Sequence, residues 1–362
     1  MSHLHKVWVD LLPLRPGGSN GGAKPFVLKL LKGLANQQPQ TEFIATCGPN
    51  SLTELQPLMS NNLRVITRKR WSNNRPRGAQ LLFCPFGATT FKQGSLPIVS
   101  VFYDLQCLKY PMFFQPIDRK QRLRNFHQQR LQNNHVAAIS EYAKQEAIEN
   151  GIKPEQIIAI PIRLAKTKQF QLEKAIEQED RNHFLLYPAN LWPHKNHELL
   201  LTAWAMARQQ GLSKSLNLIC TGEGGGRRKW LEELTRELEL EDCVSFRGFV
   251  SDQELNEFYK QTIGVIFPSL YEGFGMPIVE TMQRGIPLAC SNNTACQEVS
   301  GGASLLFDPR CPQRLAEALI RLSSDKPLRE NLRQLGLKRS ECYQGLEVMV
   351  NDYWKLFQEA LR

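Results

Sequence analysis

No stretch of this sequence approaches the roughly 18 to 20 uninterrupted apolar residues of a membrane-spanning helix, so an integral helical membrane protein is excluded. The opening segment MSHLHKVWVDLLPL lacks a basic region followed by an apolar run, and no export signal is expected. The nine cysteines (Cys47, Cys84, Cys107, Cys220, Cys243, Cys290, Cys296, Cys311, Cys342) are odd in number and never fall as CxxC. That argues against a disulfide framework and a zinc site, and points to a reducing cytoplasm. No DxD-like run ends a strand and no His/Cys cluster occurs, so no essential metal is expected. Low-complexity blocks are also missing, because glycine and proline are spread along the chain.

What is present is an ordinary globular composition, 42% apolar and 22% charged, over 362 residues. That length exceeds the reach of one hydrophobic core and predicts two α/β domains of roughly 150 to 180 residues. Charge is divided unevenly. Residues 1 to 174 hold 24 Lys+Arg against 10 Asp+Glu, net +14, and the remainder holds 21 against 25, net −4. The densest basic runs are Arg68, Lys69, Arg70, Arg75, Arg77 and then Arg119, Lys120, Arg122, Arg124, Arg130. They suit either a solvated face or an anionic membrane surface or lipid-phosphate acceptor.

Apolar strand-like runs alternate with helical segments through the first half: KVWVDLL, a helix KPFVLKLLKGLANQ, then FIATCG, RVITR, LLFCPF and IVSVFYDL. Such βαβ order predicts a mostly parallel sheet covered by helices. A basic helix is expected over Asp118 to Asn134, then the strand HVAAIS and a helix from Glu141 with Ser140 as its N-cap. The second half repeats the scheme with FLLYPAN, LNLICTG, CVSFRG, GVIFPSL, IPLACS and SLLFD as strands. The polar segment Lys166 to Asn182 reads as the interdomain linker. Domain boundaries follow at 1–172 and 173–340. A last segment, 341–362, carries the helical apolar stripe Leu346, Met349, Val350, Tyr353, Trp354, Phe357, Leu361, which needs a partner surface.

The chemically richest stretch is VIFPSLYEGFGMPIVETMQRGIPLACS, residues 265 to 291. A strand ending at Ser269, a glycine loop with Glu272, Gly273 and Gly275, and a helix beginning near Pro277 place this segment at the carboxyl edge of a parallel sheet, where ligands bind. The backbone amides of Gly273, Phe274, Gly275 and Met276, with the helix dipole, form a receptor for phosphate or another anion. Glu280 is expected in the first helical turn, so two acceptor-only carboxylates flank the loop and suit a ligand with hydroxyls at both ends and phosphate between. Read blandly, Glu272 is a solvated loop charge and Glu280 complements the helix dipole.

The segment resembles the E-x7-E signature of the group 1 family of retaining glycosyltransferases with the GT-B fold. That resemblance implies two Rossmann-like domains facing across a cleft, an acceptor-side first domain, a nucleotide-sugar-binding second one, and a C-terminal helix crossing back to the first. It further implies that Glu272 faces the donor sugar, that Glu280 binds the ribose, and that Ser269 and Gly273 to Met276 line the sugar and diphosphate. LLYPANLWPHKNHELLLTAW is similar to the family's first strand, loop and helix of the second domain. Lys195 matches the lysine that grips the diphosphate, and Asn190 stands where the family has an arginine. His194 or His197 could share that role, or be a surface or capping histidine.

LNLICTGEGGG places Gly222 and Gly224 at the family's G-x-G near the nucleotide, and FRGFVSDQEL offers Arg247, Gly248, Phe249 and Val250 for base reading. In the first domain, GGSNGG puts Gly21 and Gly22 near the donor phosphates. VFYDLQCLKYP is similar to a segment that commonly reads H-D-L, with Asp104 matching the Asp and Tyr103 replacing the His. The tyrosine hydroxyl substitutes by hydrogen bonding, or the sugar pocket differs. The resemblance as a whole implies a hexosyltransferase using a UDP- or GDP-linked sugar, mannose or glucose leading, without a cofactor. The acceptor it implies is a glycan or lipid-linked saccharide in cell-surface polysaccharide synthesis. The rival readings are a nucleotide-sugar epimerase or phosphorylase-like enzyme of the same architecture, or a basic nucleic-acid-binding module.

Overall fold

The apolar runs fold as short strands buried on both faces, the signature of parallel sheets sandwiched between helices. A computed structural model describes residues 4–17, 20–67, 75–89, 91, 96–132, 135–165 and 183–362. The expected linker 166–182, the basic residues Arg68, Lys69 and Arg70, and Gly18 and Ser19 of the glycine loop lie outside them. The chain divides into two compact units, Met1–Ala165 with Gly345–Arg362, and Lys166–Gln344.

In the first unit β1 (Lys6–Leu11), β2 (Glu42–Cys47), β3 (Leu63–Thr67), β4 (Leu81–Cys84), β5 (Ile98–Phe102), β6 (His135–Ala138) and β7 (Ile157–Ala159) form one parallel sheet in the order β3-β2-β1-β4-β5-β6-β7. The short strand β7 was not anticipated. Its helices are α1 (Ala23–Gln37), α2 (Leu52–Leu55), α3 (Gln106–Lys109), α4 (Pro116–Gln132) and α5 (Glu141–Glu149). Ser140 caps α5, its Oγ accepting the Ala143 amide at 2.9 Å, as the sequence suggests.

The second unit repeats the plan. Strands β8 (Phe184–Pro188), β9 (Asn217–Thr221), β10 (Val244–Phe246), β11 (Gly264–Phe267), β12 (Leu288–Ser291) and β13 (Leu305–Phe307) run parallel in the order β10-β9-β8-β11-β12-β13. Around them pack α6 (His197–Gln209), α7 (Gly226–Glu237), α8 (Asp252–Gln261), α9 (Met276–Gln283), α10 (Thr294–Ser300), α11 (Pro312–Ser324) and α12 (Lys326–Ser340). In each sheet the first strand lies inside, between the second and a later one. Loops leaving its carboxyl end therefore diverge from those of the later strand and open the crevice where α/β proteins bind ligands.

The last helix, α13 (Leu346–Glu359), belongs to the first unit. Met349, Val350, Tyr353, Leu356 and Phe357 are its buried face. Phe357 lies 4.9 Å from the Phe83 ring of β4, and Tyr353 stacks edge-on to the same ring at 6.0 Å. Gly33 of α1 is what lets the two helices approach, since a Cβ there would sit 2.5 Å from Val350. Fully burying each such side chain contributes about 1.5 to 3 kcal/mol, so four members of the stripe read from the sequence, joined by Leu356, complete the first unit's core, while Leu346, Trp354 and Leu361 stay half-buried.

Candidate active site

The loop leaving β8 and the loop leaving β11 are fastened to each other. After β8 the chain makes a tight turn over Pro193–Lys195 and enters α6 through Asn196, which adopts the left-handed conformation at φ 62. Asn tolerates that region because its short polar side chain finds local partners. Here the amide donates to the carbonyls of Pro268, at 3.1 Å, and Pro309, at 2.8 Å. The Leu270 amide answers by donating to the His194 carbonyl at 2.8 Å. The Tyr187 hydroxyl, buried at the end of β8, donates to the Lys195 carbonyl at 2.6 Å.

On this frame the Lys195 ammonium meets the Glu272 carboxylate at 2.5 Å, with each side chain only 12% exposed. The ammonium also lies over the Phe267 ring, 5.2 Å from its centroid. Glu272 is gripped through its backbone: its amide donates to Thr294 Oγ1 at 3.2 Å, and its carbonyl accepts the Ala295 amide at 3.3 Å. Burial of an ion pair is tolerated only with such support, and the arrangement leaves one cation and one anion at the mouth of the β8–β11 crevice.

The glycine loop then turns into α9 through Gly275, φ 90, a left-handed cap that a side chain would strain. The helix starts at Met276, and Glu280 falls in the second turn, not the first as its spacing from Pro277 suggests. Its carboxylate accepts from the fully buried Tyr259 hydroxyl of α8 at 3.3 Å. Arg284 lies over the Tyr259 ring, 4.3 Å from its centroid, and donates to the Glu280 carbonyl at 3.0 Å. The two glutamates are thus held by different partners, Glu272 by Lys195 and Glu280 by Tyr259. Ser269 is fully buried and Phe274 packs edge-on to Tyr343 at 5.5 Å, so both side chains support the loop from within.

The loops after β9 and β10 join the same sheet edge. Gly222, φ 108, sits so close to the preceding loop that a Cβ would lie 2.6 Å from the Ala189 backbone; only glycine fits. Its amide donates to the Gly248 carbonyl at 2.7 Å, and the Arg247 amide to Cys220. Gly224 packs against Leu191. Beyond them Arg247 is exposed, Val250 half-buried, and Phe249 stands 74% exposed. Asn190 accepts the Glu223 amide on its Oδ1 at 2.9 Å, which makes it a tie between loops.

His197 is no second cation. Its ring is buried between Tyr187, 4.6 Å away, and Phe246, 6.4 Å away, with neither nitrogen hydrogen-bonded. Burial, reinforced by the charges of Arg227 and Lys195, pushes it down to about 3, so the imidazole is neutral at physiological pH. Sequence reasoning missed Asn196, Tyr259, Thr294 and the Arg227–Glu198 ion pair, all of which act through partners distant in sequence. Only the left-handed Asn after a turn carried a local signal.

In the first unit the Tyr103 hydroxyl donates to the Pro85 carbonyl at 2.6 Å, and burial holds it well above the usual phenol range. Asp104 accepts the Gln106 amide at 3.0 Å. The glycine loop is pinned by Glu54, which accepts the Gly17 amide at 2.9 Å and pairs with Lys24. Gly21, φ 51, and Gly22 lead into α1. Among the described residues no group of three or more His, Cys, Asp or Glu could hold a metal ion, and no helix is long and apolar enough to cross a membrane.

The family of group 1 glycosyl transferases matches residues 168–339. Among curated relatives, the chain is 31% identical to the O-antigen chain mannosyltransferase B of Escherichia coli over 44% of its own length and 42% of the relative's. It is 32% identical to the O-antigen chain mannosyltransferase RfbU of Salmonella typhimurium over 37% and 36%. These alignments span less than half of either relative. Among solved structures, a sucrose-phosphate synthase from Thermosynechococcus elongatus superposes with TM-score 0.78 at 19% identity, covering 98% of both chains. Anabaena HepE, solved in complex with UDP and glucose, superposes with TM-score 0.74 at 16% identity over 99% of this chain and 100% of its own. The likeness establishes the fold, two Rossmann-like domains of the GT-B class. Residues 168–339, which carry the β8 and β11 loops, are what match the group 1 glycosyl transferases.

Proposed function

We propose that the chain is a retaining glycosyltransferase that moves a hexose, mannose or glucose, from a UDP- or GDP-linked donor to a glycan or lipid-linked acceptor in cell-surface polysaccharide synthesis. The observation that carries this reading is the Lys195–Glu272 pair at 2.5 Å, set between the β8 and β11 loops. The E. coli and Salmonella relatives are mannosyltransferases acting on O-antigen chains, and HepE was solved with UDP and glucose. In the reaction the bond from the sugar's C1 to the diphosphate oxygen breaks, its electron pair leaves with the phosphate, and the acceptor oxygen bonds to C1 as its hydroxyl proton passes to the departing diphosphate. Charge grows on the leaving diphosphate. Lys195 and the Met276 amide that opens α9, with the helix dipole behind it, stabilise it without a metal. Glu272 holds the sugar hydroxyls, and Glu280, oriented by Tyr259, holds the ribose.

The first domain receives the acceptor and works in the cytoplasm, peripherally on an anionic membrane face. Arg119, Lys120, Arg122 and Arg124 lie along α4 beside Ile117, 78% exposed, and Met112, 73% exposed. Cations next to exposed apolar groups suit an anionic lipid surface.

A panel of nucleotide sugars, scored by thermal shift and by slow hydrolysis, tests the reading. A true donor at 100 times its Kd stabilises the fold by about 2.7 kcal/mol. Glu272→Gln is expected to lower turnover about 100- to 1000-fold while nucleotide affinity holds, and Glu280→Gln to weaken both. Unchanged turnover in the two variants would remove their roles. Interconversion of donor sugars without an acceptor would make the protein an epimerase.

A further inference from the structure

The position that supplies the second diphosphate cation in the sequence pattern is Asn190, which carries no charge and whose side chain is spent on the Glu223 amide. We infer that Arg227, reaching the site from the start of α7, is the second cation that grips the donor's diphosphate. This rests on the nucleotide-sugar reading above.

The loop geometry brings α7 to the Lys195 turn. Leu191 donates its amide to the Glu223 carbonyl at 2.8 Å, in addition to the Asn190 tie, and Gly222 lies against the Ala189 backbone. The two loops therefore run together, and Arg227, second residue of α7, forms an ion pair with Glu198, second residue of α6. Lys195 and Glu198 are three residues apart. The short turn between them is thus bracketed by two ion pairs, Lys195 with Glu272 and Glu198 with Arg227. Both cations act on the ring of His197 within that turn.

Two details separate Arg227 from an ordinary surface pair. Its Nε is buried without a hydrogen-bond partner, and its guanidinium lies over the ring of Trp230, 5.2 Å from the centroid, with the side chain 24% exposed. The guanidinium is oriented by stacking and keeps donor capacity that Glu198 does not use. A diphosphate carries more charge than one carboxylate and matches the planar fork in two-point geometry. Glu198 then neutralises Arg227 only until the diphosphate takes its place on the guanidinium, so the carboxylate competes with the ligand and does not recruit it.

The test is binding of UDP, GDP, UMP and GMP to the full chain, followed by calorimetry. Arg227→Ala is expected to weaken the preferred nucleoside diphosphate about tenfold to a hundredfold, the loss typical of hydrogen bonds to a charged group. The matching monophosphate should stay within about threefold. Arg227→Lys, which keeps the charge and the ion pair but loses the fork, should weaken the diphosphate about fivefold and serves if the alanine variant fails to fold. Glu198→Gln should leave diphosphate binding equal or tighter, whereas a merely structural pair would lose it in both variants. Wild-type diphosphate affinity in Arg227→Lys, or an equal loss for mono- and diphosphate in Arg227→Ala, overturns the assignment of Arg227. Failure of the wild-type chain to bind either UDP or GDP instead sinks the nucleotide-sugar reading beneath it.

Discussion

The two domains are built on the same parallel plan, yet they use charge in opposite ways. In the second domain, net negative over its stretch of sequence, two half-buried cations at the sheet's carboxyl edge are matched to carboxylates: Lys195 to Glu272, Arg227 to Glu198. In the first, which carries the basic surplus, the cations concentrate along α4, where Lys120, Arg122 and Arg124 are exposed. Paired, half-buried charges hold a fixed geometry and suit recognition of one ligand; exposed like charges make a field and suit attraction to a surface. The domains also close their cores differently. The second is one continuous stretch, whereas the first is completed by α13 from the far end of the chain.

That last difference gives the largest expected effect. Phe357 is fully buried against Phe83, and Phe357→Ala should lower stability by about 3 to 5 kcal/mol, read as a shift of the urea midpoint. A loss under about 1 kcal/mol would show that the first domain's core does not depend on the returning helix. The next largest effect belongs to the second domain. The fold favours neutral His197, whose value falls from 6.5 to about 3. Below pH 6.5 the unfolded chain takes up a proton that the folded one refuses, so this stabilisation is full above 6.5 and is lost as pH falls toward 3, at about 1.4 kcal/mol per unit. His197→Phe, which removes two unsatisfied nitrogens and keeps an aromatic ring between Tyr187 and Phe246, should flatten the acid limb of the stability curve by about one proton. An unchanged slope would mean the ring is charged in the fold.

Much of this was legible in the sequence because it is local. Apolar runs four to six residues long between helical segments give the parallel sheets, and Ser140 announces its helix by residue type and position. The segment from Val265 to Ser291 writes strand, glycine turn and helix in order, so its place at the sheet edge needs no tertiary information. What stayed hidden is set by contacts between distant residues. Lys195 and Glu272 are 77 residues apart, Asn190's role depends on the Glu223 amide, and Tyr259 reaches Glu280 from another helix. Glu280 lies in the second turn of α9 and not the first because Gly275, not Pro277, fixes the cap. Strand β7 escaped because Ile157–Ala159 is only three residues long and takes its register from β6.

The smallest effect addresses the first domain's exposed charge. Lys120 is exposed on α4, so Lys120→Gln should leave stability within about 0.5 kcal/mol. If α4 meets an anionic surface, the same change should weaken binding to vesicles containing phosphatidylglycerol by about 1 kcal/mol, roughly fivefold, with neutral phosphatidylcholine vesicles bound poorly by both proteins. The difference should shrink as salt rises and the Debye length falls below about 10 Å. Partitioning that ignores Lys120, salt and lipid charge alike would show that the basic helix is simply a solvated face. The contrast between a charge-matched site in one domain and a charge-exposing surface in the other would then reduce to the site alone.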